Sequence, residues 1–152
     1  MTKPVNGWTL YRFKLFTLNW SALKEEVAKL KSQDPEGYKS HPQTKLLASL
    51  YQCVLERVPR DPTHREFWLG NTLGQTNRHW RRVKPGMPHR YRLFFQFGSM
   101  PVKTIVYVWY NDQRTLRQAG AKTDVYEVFK KLLAAGEIPS SLAELIKRSQ
   151  EW

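Results

Sequence analysis

Two groups of residues have the types and spacing to do chemistry. The first is a cationic run. From Phe67 to Asn111 there is no acidic residue, while Arg78, Arg81, Arg82, Lys84, Arg90, Arg92 and Lys103 all fall inside that span. Arginine presents a planar fork to phosphate oxygens and lysine a point charge. Such a run suits a polyanion, and fixed donors of this kind stabilise charge that develops on a phosphate during reaction. A merely solvated surface would mix the two signs, because like charges repel. The second group is Tyr126 with the polar stretch upstream of it, Asn111-Asp112-Gln113-Arg114-Thr115-Leu116-Arg117 and Lys122. A phenol near the basic segment can stack on a base or exchange a proton; a boundary tyrosine covering apolar surface is the alternative. Asp112 either orients Arg114 or Arg117, or caps a turn.

The other reactive side chains form no such group. His41, His64, His79 and His89 show no i,i+3 or i,i+4 pairing, and no carboxylates cluster, so a zinc or calcium site is not expected. No glycine-rich phosphate loop occurs, and no cofactor is expected. Cys53 is the one cysteine, so an internal disulfide is excluded. It follows Leu50 by three on an apolar helix stripe and reads as a small core residue.

Overall charge agrees with the local pattern. Lys and Arg total 25 against 13 Asp and Glu, a formal net charge of +12. That field concentrates polyanions at the surface. Anionic membranes would attract the same charge, but no apolar run approaches the roughly 18 residues of a membrane span. The opening stretch MTKPVNGWTLYRF lacks the apolar centre of a signal peptide. A cytoplasmic protein is expected.

Periodicity supplies the elements that must position these residues. Residues 8–12 alternate loosely as a short strand. From about Asn19 a helix carries Leu23, Val27 and Leu30 and stops at Asp34-Pro35-Glu36-Gly37. A second helix runs from about Pro42 to Arg57 on Leu46, Leu47, Leu50, Val54 and Leu55, and residues 59–74 read as an irregular crossing. Segments 79–84, 90–98 and 102–111 are rich in β-formers and separated by Pro/Gly turns, which predicts three consecutive antiparallel strands. Asp124 and Glu127 form a D-x-x-E capping box ahead of a helix that Gly136 ends near Ala135. A short helix over about 141–149 follows. The expectation is one α+β domain spanning 1–152, with helices packed on one face of a small twisted antiparallel sheet, in the order β-α-α-β-β-β-α. Alternation puts Tyr91, Leu93, Phe95 and Phe97 on the core face and Arg90, Arg92, Phe94 and Gln96 on the other. Trp80, Arg82 and Lys84 share a face, so four cations would meet on an open side of the sheet.

In order along the chain, Val5-Asn6-Gly7-Trp8, Lys45-Leu46-Leu47-Ala48, Leu73-Gly74, Trp80-Arg81-Arg82-Val83-Lys84, Arg90-Tyr91-Arg92-Leu93-Phe94-Phe95, Trp109-Tyr110-Asn111-Asp112, Thr115-Leu116-Arg117 and Lys122-Thr123-Asp124-Val125-Tyr126-Glu127-Val128-Phe129 together resemble the YhaV family of type II toxins. The resemblance implies a RelE-like fold and a ribosome-dependent endoribonuclease that cleaves mRNA during translation by metal-free attack of the ribose 2′-OH. It implies Arg92, Lys84, Tyr126 and Arg117 as catalytic residues, with Arg114 and Lys122 as alternatives to Arg117. Arg81, Arg82, Arg90, Arg114, Lys122 and Trp80 are the expected RNA contacts. The implied partners are the ribosome, mRNA and a PrlF-like antitoxin of the swapped-hairpin, AbrB-type class, through which operator DNA would be bound. The competing expectation is a basic nucleic-acid- or ribosome-binding module, or a RelE-fold toxin with another target, lacking nuclease chemistry.

Overall fold

A computed structural model describes residues 3–152. Strand β1 (Thr9–Phe13) runs straight into helix α1 (Lys14–Gln33), which begins ahead of Asn19 because Phe16 and Trp20 extend its apolar stripe. Helix α2 (Pro42–Gln52) starts with proline in its first turn, and His41 caps it by accepting a hydrogen bond at Nδ1 from the Gln43 N–H at 3.1 Å. The chain continues helically through a π turn (Cys53–Arg57) and a single turn, α3 (Val58–Arg60). Strands β2 (Arg81–Val83), β3 (Leu93–Gly98) and β4 (Thr104–Tyr110) follow. Helices α4 (Val125–Ala134) and α5 (Leu142–Lys147) and a last strand, β5 (Ser149–Glu151), complete the order.

The five strands form one sheet in the order β2-β3-β4-β1-β5. Neighbours β2-β3-β4 are antiparallel, as the turn signals predict. Strand β1, however, lies beside β4 in parallel, and β5 closes that side antiparallel to β1. The α+β class stands and is consistent with a RelE-like fold, but the sheet is mixed and its fifth strand is polar, without a strand signal. Backbone pairing carries β5, helped by the Trp152 N–H donating to the Leu10 carbonyl at 2.9 Å. No helix among the described residues is long and apolar enough to cross a membrane.

Helices cover both faces of the sheet, not one. On the first face Phe16, Trp20, Leu23, Leu46, Leu50 and Val54 from α1, α2 and the π turn meet Leu93, Phe95 and Tyr107. Cys53 lies in this core, and burial pushes its thiol up to about 11 despite Arg57 nearby. On the second face Val125 and Phe129 of α4 and Leu145 of α5 meet Phe94, Val106 and Trp109. Phe94 stacks on Phe129 with centroids 4.0 Å apart, and Trp80 meets Phe129 edge-on at 4.9 Å. All seven residues of β4 are buried accordingly. A bulge lies where the register passes from Phe94↔Trp109 to Phe95↔Tyr107, so adjacent Val108 and Trp109 both face α4.

Phe129 is therefore the pin of the second layer. Phe129→Ala is expected to cost about 3–5 kcal/mol in urea unfolding. Leu18→Ala, at a position 67% exposed, should stay within about 0.5 kcal/mol.

Candidate active site

Helix α4 presents its first turn to the end of the second sheet face. Asp124 caps it, accepting at Oδ2 from the Tyr126 N–H at 3.1 Å. The reciprocal arm of the expected capping box is absent, because Glu127 pairs with Lys130 at 2.8 Å. Docked in this way, the Tyr126 phenol reaches between β2 and the entry to β3. Its oxygen accepts from Arg82 Nε at 3.0 Å and from Arg92 Nε at 3.1 Å. Tyr126 is thus a buried residue held by two guanidiniums, and the alternation argument correctly put both arginines on its side of the sheet.

Both arginines are held from behind. Arg92 Nη1 donates to the Tyr91 carbonyl at 2.9 Å, and Arg82 Nη1 donates to the carbonyls of Trp68 and Glu66 at 2.9 and 3.3 Å. Neither Nη2 is hydrogen-bonded to the described residues, which leaves one donor group on each for an anion. A third guanidinium completes the cluster. Arg117 lies over the Tyr126 ring, 5.1 Å from its centroid, and Nη1 donates to Asp124 Oδ1 at 2.8 Å. Burial opposes the charge on Asp124. The hydrogen bonds from Arg117, Gln118 N–H and Tyr126 N–H and the Arg117 charge outweigh it and hold the carboxyl below its ordinary value. Three guanidiniums thus gather around Tyr126, and the carboxylate paired with one of them caps the positive end of the helix.

The structure brings Arg82, Arg92, Arg117 and Tyr126 together and gives Trp80, Arg81, Arg90 and Arg114 other contacts. Trp80 is fully buried against Phe129, so it cannot stack on RNA. The second helical layer, which covers the face expected to be open, is the reason. Arg81 lies on the opposite side, over Phe97 at 5.7 Å, with Nη1 donating to the carbonyls of Arg78 and Trp80. Arg90 adopts a positive φ of 72° ahead of β3 and donates through Nε to the Arg117 carbonyl at 2.9 Å, so it holds the loop instead of extending the strand. Arg114 lines a separate groove with Asn19, Glu26 and Tyr91, on the α1–α2 side. Asp112 orients neither Arg114 nor Arg117 through its guanidinium; it caps a turn, accepting from the Arg114 N–H and the Thr115 hydroxyl. Lys84 and Lys122 are exposed, with no side-chain partner among the described residues.

Asn111 is the positioning residue that periodicity did not single out. It is fully buried; Oδ1 accepts from the Arg92 N–H at 2.8 Å, and Nδ2 donates to the carbonyls of Arg90 and Thr115. One amide thus ties the entry of β3 to the loop carrying Arg117. Its place directly after an apolar strand was the available signal. Among the described residues no three His, Cys, Asp or Glu side chains are grouped to hold a metal ion.

Asp124→Asn should lower stability by about 1–3 kcal/mol at neutral pH, since it removes a charged acceptor from three donors. The folded carboxyl is held low, so its contribution is complete above the ordinary carboxylate range and is lost as pH falls through the depressed value. The gap between wild type and variant in denaturation curves should therefore close on acidification.

Comparison with known proteins identifies the family. No solved structure matches the chain significantly. The ribonuclease toxin YhaV of Escherichia coli K12 is 42% identical over 148 residues, covering 97% of this chain and 95% of that protein. The toxin YhaV of Escherichia coli O157:H7 matches to the same extent. Residues 10–150 match a family described as a toxin with endonuclease activity, of a toxin-antitoxin system. With both matches spanning nearly its whole length, the chain belongs to the YhaV family of toxins with endonuclease activity.

Proposed function

We propose that the chain is an endoribonuclease that cuts mRNA on the translating ribosome by metal-free transesterification. The observation that supports this most is the Tyr126 oxygen held between Arg82 Nε and Arg92 Nε. In the reaction the ribose 2′-oxygen bonds to phosphorus and the bond from phosphorus to the 5′-oxygen breaks. The products are a 2′,3′-cyclic phosphate and a 5′-hydroxyl. The nucleophile comes from the RNA, so the protein supplies charge, geometry and proton transfer. Arg82 and Arg92 stabilise the phosphorane through their uncommitted Nη2 groups, a contribution of about 3 kcal/mol per donor in a dry site. Tyr126 exchanges a proton with the reacting oxygens, with Arg117 seated over its ring. Lys84 and Lys122 raise the local positive potential from the rim.

Ribosome dependence fits a cluster without a His/Glu acid-base pair, which leaves alignment of the 2′-OH to the partner that holds the message. The same excess of guanidinium charge suits an acidic segment of a PrlF-like, AbrB-type antitoxin, which would cover Arg82 and Arg92 and supply the contacts to operator DNA. The place of action is then the cytoplasm.

Mapping of RNA 5′ ends in reconstituted translation tests this reading. Wild type should create ends only with ribosomes. Arg92→Ala should reduce cleavage by about 10²–10³-fold and Tyr126→Phe by about 10²–10⁴-fold. Full cleavage by Tyr126→Phe would reduce the phenol to a spacer between two arginines. Absence of new ends with any variant would favour a binding module or another target.

A further inference from the structure

Of the six tryptophans, Trp68 alone is exposed, at 56%. Trp8, Trp20, Trp80 and Trp109 are buried and Trp152 is half-buried. A lone exposed apolar residue is ordinary, but four features set this one apart. Its carbonyl accepts from Arg82 Nη1 at 2.9 Å, so it adjoins an arginine that also holds Tyr126. Its indole N–H donates to the Thr63 carbonyl at 3.3 Å, which fixes the ring. The turn beneath it is anchored, with Phe67 packed edge-on against Phe95 at 5.4 Å and Trp68 bridged to Arg81 at the edge of the sheet. Finally, two unpaired cations lie in the segment that leads into Trp68. Arg60 and Arg65 are exposed with no side-chain partner among the described residues, whereas Glu66 Oε1 accepts from Arg57 Nε at 3.1 Å and Asp61 Oδ1 accepts from the Thr63 N–H and hydroxyl.

From this juxtaposition we infer that Trp68 is a stacking platform for a nucleobase of the RNA, beside the phosphate held by Arg82 and Arg92. Arg65 takes a backbone phosphate further along the strand. This rests on the proposed nuclease reading, and it moves the tryptophan contact to RNA from buried Trp80 to an exposed residue beside Arg82. An aromatic face accepts every base and favours those that stack most strongly, so the platform adds affinity with only modest sequence preference. A preformed ring loses little freedom on binding.

Two readouts test the platform. The first is the single-turnover cleavage rate of a reporter message in reconstituted translation, for wild type, Trp68→Ala, Trp68→Phe and Arg92→Ala. Trp68→Ala should be about tenfold slower and Trp68→Phe should recover most of the rate, with unchanged melting temperatures. The second is binding of a 2′-O-methyl oligonucleotide, which cannot be cut. Affinity for Trp68→Ala should fall by about tenfold while the dependence on salt keeps its slope, because no phosphate contact is lost. Wild-type cleavage and binding by Trp68→Ala, with Arg92→Ala inactive, would overturn the platform and leave the nuclease reading intact. Wild-type cleavage by Arg92→Ala would overturn the nuclease site, and the oligonucleotide affinities would then judge Trp68 independently. Equal losses in Trp68→Ala and Trp68→Phe would assign the effect to the indole N–H bond and overturn stacking. Normal cleavage and RNA binding by Trp68→Ala with weakened antitoxin binding would make the ring a protein contact instead.

Discussion

The stack of Phe94 on Phe129, 4.0 Å between ring centroids, is the contact on which the site depends. It joins the middle of the sheet to the middle of α4 and so sets where the helix's first turn lies. Edge-on packing of Trp80 and the stacking of Trp109 hold the same ring from two further sides. A helix located by three aromatic neighbours has little freedom to slide, and Tyr126, three residues before Phe129 on adjacent helical turns, is carried to a fixed height above β2 and β3. The phenol then meets one arginine from β2 and another at the entry to β3. Aromatic packing thus provides the rigid base that an electrostatic site requires.

Like charges gather at that site. Arg82, Arg92 and Arg117 converge on one ring, and only Asp124 answers them. Repulsion among the three is tolerated because the phenol oxygen, backbone carbonyls and one carboxylate absorb their donors. In the proposed function a phosphate bound there would replace repulsion with attraction. Asp124 serves both sides of this balance, as cap of α4 and as counter-ion of Arg117. Asn111 makes a corresponding tie through neutral hydrogen bonds, joining the entry of β3 to the loop that carries Arg117.

The covered second face explains most differences between pattern and structure. Alternation along Tyr91–Phe97 correctly divided the side chains between faces, and Arg82 and Arg92 share one as expected. What period two does not say is whether a face meets water or another helix. Phe94 and Trp80 are apolar in either case, yet both are core. A signal was present in β4, whose Thr-Ile-Val-Tyr-Val-Trp-Tyr shows no alternation, as befits a strand buried on both sides. The polar β5 carried no signal at all, because it is held by backbone pairing with β1.

The amino-acid sequence by itself determined the α+β class, the three antiparallel strands, the basic excess of the β2–β3 region and, through ordered motifs, the family. These rest on local quantities, namely apolar period, turn chemistry and charge count, each decided by residues close together in the chain. Only the tertiary structure decided which cations lie together. The path of a loop tied to Arg90 and Asp124 seats Arg117, and not Arg114, over Tyr126, and the seating of α4 buries Trp80 while Trp68 stays exposed. Such choices turn on ångström distances between segments remote in sequence, and packing sets those distances where no local preference reaches.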